Sequence, residues 1–347
     1  MKPLMILCLI SLLCVLPANA EEQSPKTEPV PSVQSAWVVY WDLEGARKEA
    51  EMVVAAGGTL SFFAAYYDAS DALYVPPELL ESAWALQEQY RELPLLLTVV
   101  NDRLLEEGGS VLKDADLVRR LLADEESMRT HAGQLVELAQ LHGFAGIDMD
   151  YENLGNNKAL WRQYALFLEI LFGQLQQAGL QLRVTLEPRA LDKATYPKGP
   201  DYAVMLYNLR GPHSGPGPKA TYAFIRTTLR QARRRLGPGV QAAFSTGGFV
   251  WLPDGKVQDV TEQQAAARQR EGDAQAVRDP ASGALHFVHR EGARQGQELW
   301  YADGQTLHSW KQVAAREGVT SFALWRLGGN VTASLAEYLE APGQQRR

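Results

Sequence analysis

The sequence predicts an α/β fold, a (β/α)8 TIM barrel with a small α+β insertion between its seventh and eighth strands. Eight short apolar runs alternate with helical patterns along the chain, which is the order of elements in a barrel of parallel strands. Hydrophobic residues make up 46% of the 347 residues, which is enough for a core of this size. Residues 246–320 separate the last two runs, so we expect the insertion there.

The first four strands follow from apolar runs and from the residues that stop the helices between them. Gly57 and Gly58 end the first helical pattern, and Pro76 and Pro77 open the second, because proline is tolerated in the first turn of a helix. The predicted strands cover 36–41, 59–67, 95–100 and 144–152, and the predicted helices cover 43–56, 76–91, 112–142 and 157–178.

The second half of the predicted barrel is less regular than the first. Its strands are expected at 182–186, 202–207, 240–245 and 321–325, with helices at 219–235 and after Asn330. The interval between the fifth and sixth strands is too short for a full helix, so we expect an irregular crossover. An Ala-, Gln- and Arg-rich stretch at 262–277 is followed by strand-like pieces at 286–290 and 298–302, which places the insertion at about 252–304.

The ends of the chain differ in composition from the barrel at 35–340. Residues 1–20 are typical of a secretory signal peptide, with Lys2, an apolar run and a small-residue site at Ala18-Asn19-Ala20; an uncleaved anchor is the alternative. Both cysteines, Cys8 and Cys14, lie in this segment. Residues 21–34 are polar and proline-rich, which predicts a disordered spacer, and 341–347 form a tail. We therefore expect an exported protein, periplasmic or extracellular, without stable membrane insertion after cleavage.

Composition also bounds the partners of the chain. The formal net charge of −7 argues against a nucleic-acid partner and against a basic membrane-binding surface. The six histidines show no metal-ligand spacing, so we predict no metal and no cofactor. A monomer is the expected state.

The stretch that organises the chain is Phe144–Glu152, in which apolar residues alternate with acids. Side chains two apart on a strand share a face, so Asp148, Asp150 and Glu152 should point one way, opposite to Tyr151. Carboxyls this close cannot all ionise cheaply, so at least one should keep its proton above its ordinary pKa and could act as a proton donor. A solvated edge strand is the alternative, but helices on both sides favour a buried parallel strand.

This stretch resembles the signature of family 18 glycoside hydrolases, Asp-Gly-x-Asp-x-Asp-x-Glu, with Ala145 in place of the first Asp. The run Glu-Asn-Leu at 152–154 resembles the branch of peptidoglycan-directed N-acetylglucosaminidases of spore-forming bacteria. Residues 205–208, Met-Leu-Tyr-Asn, are similar to the family's Met-x-Tyr-Asp, with Asn208 replacing Asp, and Phe322–Gly328 is similar to its last-strand Trp motif.

The resemblance implies substrate-assisted retaining hydrolysis of N-acetylhexosamine polymers, in which the acetamido group of the substrate is the nucleophile. Glu152 would be the general acid and base, and Asp150 would bind the acetamido N–H. Asp148 would share a proton with Asp150, Tyr207 would bind the acetamido oxygen, and Trp325 would form the floor under the sugar.

Other residues near the carboxyl ends of the strands are weaker candidates for substrate binding. They are Tyr40, Asn101, Met205 and Asn208, while Glu187 and Arg189 are as readily explained by a local ion pair. Two functions stay open: a secreted glycosidase acting on peptidoglycan or chito-oligosaccharides, and a non-catalytic lectin on the same barrel. Glu152 favours the enzyme, whereas Ala145 and Asn208 slightly favour the lectin.

Overall fold

The computed structural model describes residues 34–91, 93–271 and 274–340. The predicted signal peptide, tail and spacer lie outside these residues, except for Gln34. The strands, in chain order, are β1 (Gln34–Val39), β2 (Thr59–Tyr67), β3 (Leu73–Tyr74), β4 (Leu95–Leu104), β5 (Ser110–Val111), β6 (Gly146–Asp150), β7 (Gln181–Leu186), β8 (Asp201–Met205), β9 (Gln241–Ser245), β10 (Gly247–Trp251), β11 (Val257–Val260), β12 (Val277–Arg278), β13 (Leu285–Val288), β14 (Glu298–Ala302) and β15 (Ser321–Trp325).

Helices connect most of these strands, as a barrel of parallel strands requires. They are α1 (Leu43–Ala55), α2 (Pro77–Gln89), α3 (Ala115–Leu121), α4 (Glu125–Leu141), α5 (Lys158–Gln177), α6 (Tyr222–Leu236), α7 (Glu262–Glu271), α8 (Gly304–Arg316) and α9 (Thr332–Leu339). In the described part of the chain, no helix is both long and apolar enough to cross a membrane.

Eight parallel strands close into a barrel, which confirms the predicted fold. Around the ring the order is β1, β2, β4, β6, β7, β8, β9 and β15, and the pairing of β15 with β1 completes it. The helices other than α7 cover the outer face of the barrel through a continuous apolar layer. The carboxyl ends of the strands therefore meet at one rim, where the acids that follow β6 are expected to lie.

A second sheet lies between β9 and α8. Its order is β11-β10-β14-β13-β12, all antiparallel, and α7 packs against it. This sheet is the predicted insertion, and it begins at Gly247 rather than near 252. Gly247 and Gly248 are the first residues of β10 and do not end the preceding strand. Gly248 allows the close approach of β14: a Cβ there would lie 1.8 Å from the Trp300 carbonyl oxygen.

Several predicted boundaries are wrong for local reasons. The expected helix at 112–142 is two helices, because Asp114 and Asp124 each cap a new helix with their side chains. The third barrel strand, β4, runs on to Leu104 and pairs with β5 in a hairpin. The first strand ends at Val39, so Tyr40 lies in a 3-10 turn. The helix α8 was not predicted, whereas the irregular fifth crossover is a 3-10 turn at Pro188–Ala190, as expected.

Candidate active site

The strand β6 directs Asp148 and Asp150 toward the barrel interior, and Tyr151, directly after the strand, packs on the side of the helices. Register sets the Cα atom of Asp148 beside Thr98 on β4 and Arg183 on β7. On the opposite side, Tyr151 hydrogen-bonds His131 of α4 through atoms 2.9 Å apart and also pairs with Tyr67. Glu152 follows the end of the strand, at the rim.

Asp148 is fully buried and accepts five hydrogen bonds inside the barrel. Arg183 donates two, Nε to Oδ1 at 3.0 Å and Nη2 to Oδ2 at 2.8 Å. Thr98, Thr185 and the indole N–H of Trp37 donate the others. Burial opposes ionisation, but the charge and hydrogen bonds of Arg183, together with the hydrogen bonds from Thr185 and Trp37, outweigh it and hold the pKa of Asp148 below its ordinary value. Asp148 is therefore a carboxylate, and the expected sharing of its proton with Asp150 is replaced by an ion pair.

Asp150 is buried one layer closer to the rim. Its Oδ1 atom has no hydrogen-bond partner among the described residues. Burial raises the pKa of Asp150 well above its ordinary value, and the negative charges of Glu152 and Asp148 add to the rise. Asp150 thus combines an unused polar atom with a strong tendency to keep its proton, and Oε2 of Glu152 is likewise buried without a partner among the described residues.

The Glu152 side chain is 12% exposed and contacts the ammonium of Lys113, with Nζ and Oε1 2.6 Å apart. Burial raises the pKa of Glu152 to about 7, although the charge and hydrogen bond of Lys113 oppose the rise. The negative charge of Glu187 adds to it; Glu187 itself pairs with Arg189. A carboxyl with this pKa can both give and take a proton near neutral pH.

The backbone of Glu152 is fixed from the neighbouring strand by Asn101. The Glu152 N–H donates to Oδ1 of Asn101 at 2.9 Å, and Nδ2 of Asn101 donates to the Glu152 carbonyl at 3.0 Å. Asn101 is 1% exposed. Each end of its amide makes one of these bonds, so Asn101 positions the backbone of Glu152, and its contact with substrate stays a prediction.

Aromatic rings form the apolar side of the site. Tyr207 and Trp325 lie nearly parallel, with ring centroids 6.4 Å apart, and Phe63 meets Trp325 edge-on at 4.9 Å. Met205 packs into the same cluster with Trp37. Burial raises the pKa of Tyr207 well above its ordinary value, and the nearby acids, Asp150 first, add to the rise, so its hydroxyl stays protonated.

A groove of about 360 Å³ continues from this aromatic cluster along the rim. Tyr40 lies in it beside Trp41, which is 51% exposed, and Tyr66. Tyr40 thus belongs to the lining of the groove. Asn208 is exposed at the end of β8.

The barrel and its acids can be compared with known proteins. No family model matches the chain. The sequence is 22% identical over 307 residues to the cortical fragment-lytic enzyme of Bacillus subtilis and 21% identical over 230 residues to the uncharacterized glycosylase YvbX of the same bacterium. These matches cover 83% and 62% of this chain, and 68% and 66% of the two relatives, which is about two thirds of each.

Solved structures are similar over nearly the whole barrel. A chitinase from Chromobacterium violaceum has a TM-score of 0.76 at 18% identity, over 91% of this chain and 100% of that one. The spore cortex-lytic enzyme SleL of Bacillus cereus has a TM-score of 0.73 at 19% identity, over 90% of this chain and 76% of that one. The chain has a chitinase-like barrel. The predicted resemblance to family 18 is confirmed.

Three residues that contact the acids of this barrel were not predicted from the sequence: Arg183, Trp37 and Lys113. Arg183 carried a signal, because a charged residue in a buried apolar strand needs a partner of opposite charge. Trp37 lay in a predicted strand but could not be assigned a hydrogen-bond partner 111 positions away. Lys113 carried no signal, since it stood inside a stretch predicted as helix and its contact with Glu152 depends on the hairpin of β4 and β5.

Proposed function

We propose that the protein is an exported glycoside hydrolase that cleaves N-acetylglucosamine-containing glycans, peptidoglycan or chito-oligosaccharides, by substrate-assisted retaining catalysis. One observation carries the proposal: Glu152 and Asp150 are buried together with raised pKa values, beside an aromatic floor in a chitinase-like barrel. Perturbed carboxyls at the carboxyl ends of barrel strands are typical of catalytic groups.

In the first step Glu152 gives its proton to the glycosidic oxygen. The acetamido carbonyl oxygen of the same sugar attacks C1, and the bond from C1 to the glycosidic oxygen breaks with its electron pair going to the leaving sugar. A cyclic oxazolinium ion remains. Asp150 accepts the acetamido N–H, for which its unpaired Oδ1 atom is available, and Tyr207 donates its hydroxyl to the acetamido oxygen.

In the second step the carboxylate of Glu152 takes a proton from water. The resulting hydroxide adds to C1, and the bond from C1 to the acetamido oxygen breaks with its electrons returning to the amide. Glu152 is again protonated, and the configuration at C1 is retained because it was inverted twice. Asp148 contributes a negative charge beneath Asp150, which itself favours the cationic intermediate.

A non-catalytic, lectin-like sugar-binding function is the second candidate. The aromatic cluster and the groove beside Tyr40 would hold a sugar chain in either case. Ala145 and the exposed Asn208 depart from the family pattern and favour the lectin. Glu152 favours the enzyme, since a binding protein has no need for a buried acid with a pKa near 7.

Release of reducing ends from purified peptidoglycan and from chito-oligosaccharides tests the proposal, with residues 21–347 compared with Glu152→Gln. Loss of the general acid is expected to lower kcat by about 10²–10⁴-fold. Glu125→Gln, which removes an exposed acid from α4, is the matched control and should retain full activity. If neither the parent protein nor any variant hydrolyses a substrate while all of them still bind sugar, the lectin function is the remaining candidate. The better substrate identifies the polymer.

A further inference from the structure

Lys113 is held at the rim by its backbone. After the hairpin of β4 and β5, its N–H donates to Oδ1 of Asp102 at 2.7 Å, and the next N–H, of Asp114, donates to the Asn101 carbonyl at 2.7 Å. Lys113 itself has φ +55°, in the left-handed region that residues with a Cβ rarely adopt. The backbone is therefore fixed on both sides in an uncommon conformation that directs the side chain at Glu152.

The side chain of Lys113 is more free than its backbone. It is 43% exposed, while the acid that it contacts is 12% exposed. Burial would lower the pKa of Lys113, but the charge and hydrogen bond of Glu152, followed by the charge of Glu187, outweigh it, so the group stays an ammonium. The ammonium thus lies at the mouth of the site and the carboxyl inside it.

This contact opposes the chemistry proposed for Glu152. A general acid must hold a proton when the substrate is bound, whereas a neighbouring cation favours the carboxylate. The conflict is removed if the substrate brings an anion of its own that takes over Lys113. The anion would have to lie next to the glycosidic oxygen, because Glu152 must reach that oxygen.

One sugar places an anion there. N-acetylmuramic acid carries a lactyl ether on the ring carbon next to the one that bears the glycosidic oxygen. When this sugar is the leaving group, its lactyl carboxylate lies beside the oxygen that receives the proton of Glu152. A chito-oligosaccharide has a neutral hydroxyl at that position.

Resting on the hydrolase function proposed above, we propose that Lys113 binds the free lactyl carboxylate of an N-acetylmuramic acid residue on the leaving-group side of the scissile bond. Binding transfers Lys113 from Glu152 to the substrate and leaves Glu152 free to hold its proton. Recognition of the sugar and activation of the acid are then one event.

The need for a free lactyl carboxylate also determines which reaction must precede this one. Where a stem peptide is attached to muramic acid, the lactyl carboxyl is an amide and carries no charge. Lys113 therefore selects glycan strands from which an amide-bond hydrolysis has already removed the peptide. The preceding reaction is of the amidase class, and its product is the substrate here.

Three oligosaccharides of equal length test the proposal: an alternating N-acetylglucosamine–N-acetylmuramic acid chain with free lactyl carboxylates, the same chain with these groups converted to methyl amides, and a chito-oligosaccharide. The unaltered protein should cleave the free acid with a kcat/KM at least about tenfold above that of the amide, because a charge-assisted hydrogen bond is lost in the amide. This comparison needs no variant.

Variants then test whether Lys113 is the residue that causes the preference for the free acid over the amide. Lys113→Met should bring the acid-to-amide ratio of kcat/KM close to one, and Lys113→Arg should keep most of it. Lys48→Met removes an exposed charge from α1 and should leave the ratio unchanged. A ratio near one in the unaltered protein, or the same ratio in Lys113→Met, would overturn the assignment.

Failure of the proposed function gives a different pattern. In that case no oligosaccharide is cleaved, and Glu152→Gln behaves like the unaltered protein. Binding of the free-acid and amide chains is then the readout, by calorimetry. Tighter binding of the free acid that disappears in Lys113→Met would uphold the carboxylate site, and equal binding of the two chains would reject it.

Discussion

Arg183 and Asp148 form a two-point ion pair inside the barrel, with 3.0 Å between Nε and Oδ1 and 2.8 Å between Nη2 and Oδ2. Their side chains are 6% and 0% exposed. Arg183 also donates to Ser35 and Ser61, which ties the pair to β1 and β2. The pair fixes a negative charge directly beneath Asp150, and this charge helps Asp150 to keep its proton.

Arg183→Leu should therefore be strongly destabilising. It leaves Asp148 buried without its counter-ion, which typically costs about 3–5 kcal/mol in the free energy of unfolding, measurable by urea denaturation. Arg129→Leu, which breaks an exposed pair with Glu125, should cost less than about 1 kcal/mol. The double variant Asp148→Leu/Arg183→Leu should lose less than the sum of the two single changes; simple additivity would contradict the pairing.

The pH dependence of stability should carry the sign of this ion pair. The folded-state pKa of Asp148 lies below the ordinary 3.8. Its contribution is present above the unfolded-state pKa and is lost as the pH falls through the folded value. Urea titrations below about pH 4 should therefore show a loss of stability that the Arg183→Leu variant lacks. Equal acid sensitivity of the parent protein and Arg183→Leu would count against the ion pair as the source of this pH dependence.

The pH profile of hydrolysis should have its alkaline limb near the pKa of Glu152, about 7, since the free enzyme must hold that proton. The charge of Lys113 lowers this pKa, so Lys113→Met should move the limb of kcat/KM on chito-oligosaccharides to higher pH. Lys48→Met should not move it. A limb that stays in place after loss of Lys113 would show that the ammonium does not act on the acid in solution.

Asn101→Ala should lower kcat more than it raises KM. The change removes both hydrogen bonds to the Glu152 backbone, and a displaced acid loses about tenfold or more in rate. Asn157→Ala is a matched control, because Asn157 caps α5 and its loss should cost about 1 kcal/mol of stability without changing kcat. Unchanged kcat in Asn101→Ala would remove its positioning role.

Trp325→Ala should weaken sugar binding, because it removes the ring that stacks beside Tyr207. The expected loss in kcat/KM is about three- to tenfold or more, and Trp325→Phe should recover part of it. Trp84→Ala removes an indole that is 46% exposed on α2 and contacts His142, and should leave kcat/KM unchanged. An equal loss in both variants would point to a general effect on folding.

The sequence by itself determined the barrel and the order of its acids. Eight apolar runs that alternate with helical patterns predict a barrel of parallel strands. The two-residue period of a strand puts Asp148 and Asp150 on the face opposite to Tyr151, whatever residues surround them. Tyr207 and Trp325 came from a resemblance in motif, at the ends of strands that meet at one rim. These inferences need only local geometry.

Tertiary structure alone decided how the acids are partnered. Asp148 was expected to share a proton, but strand register sets Arg183 beside it, and a buried cation turns a shared proton into an ion pair. Glu152 meets Lys113 because a hairpin folds back over the rim. Protonation depends on charges within a few ångströms, and those neighbours come from residues distant in sequence, so no pattern along the chain could specify them.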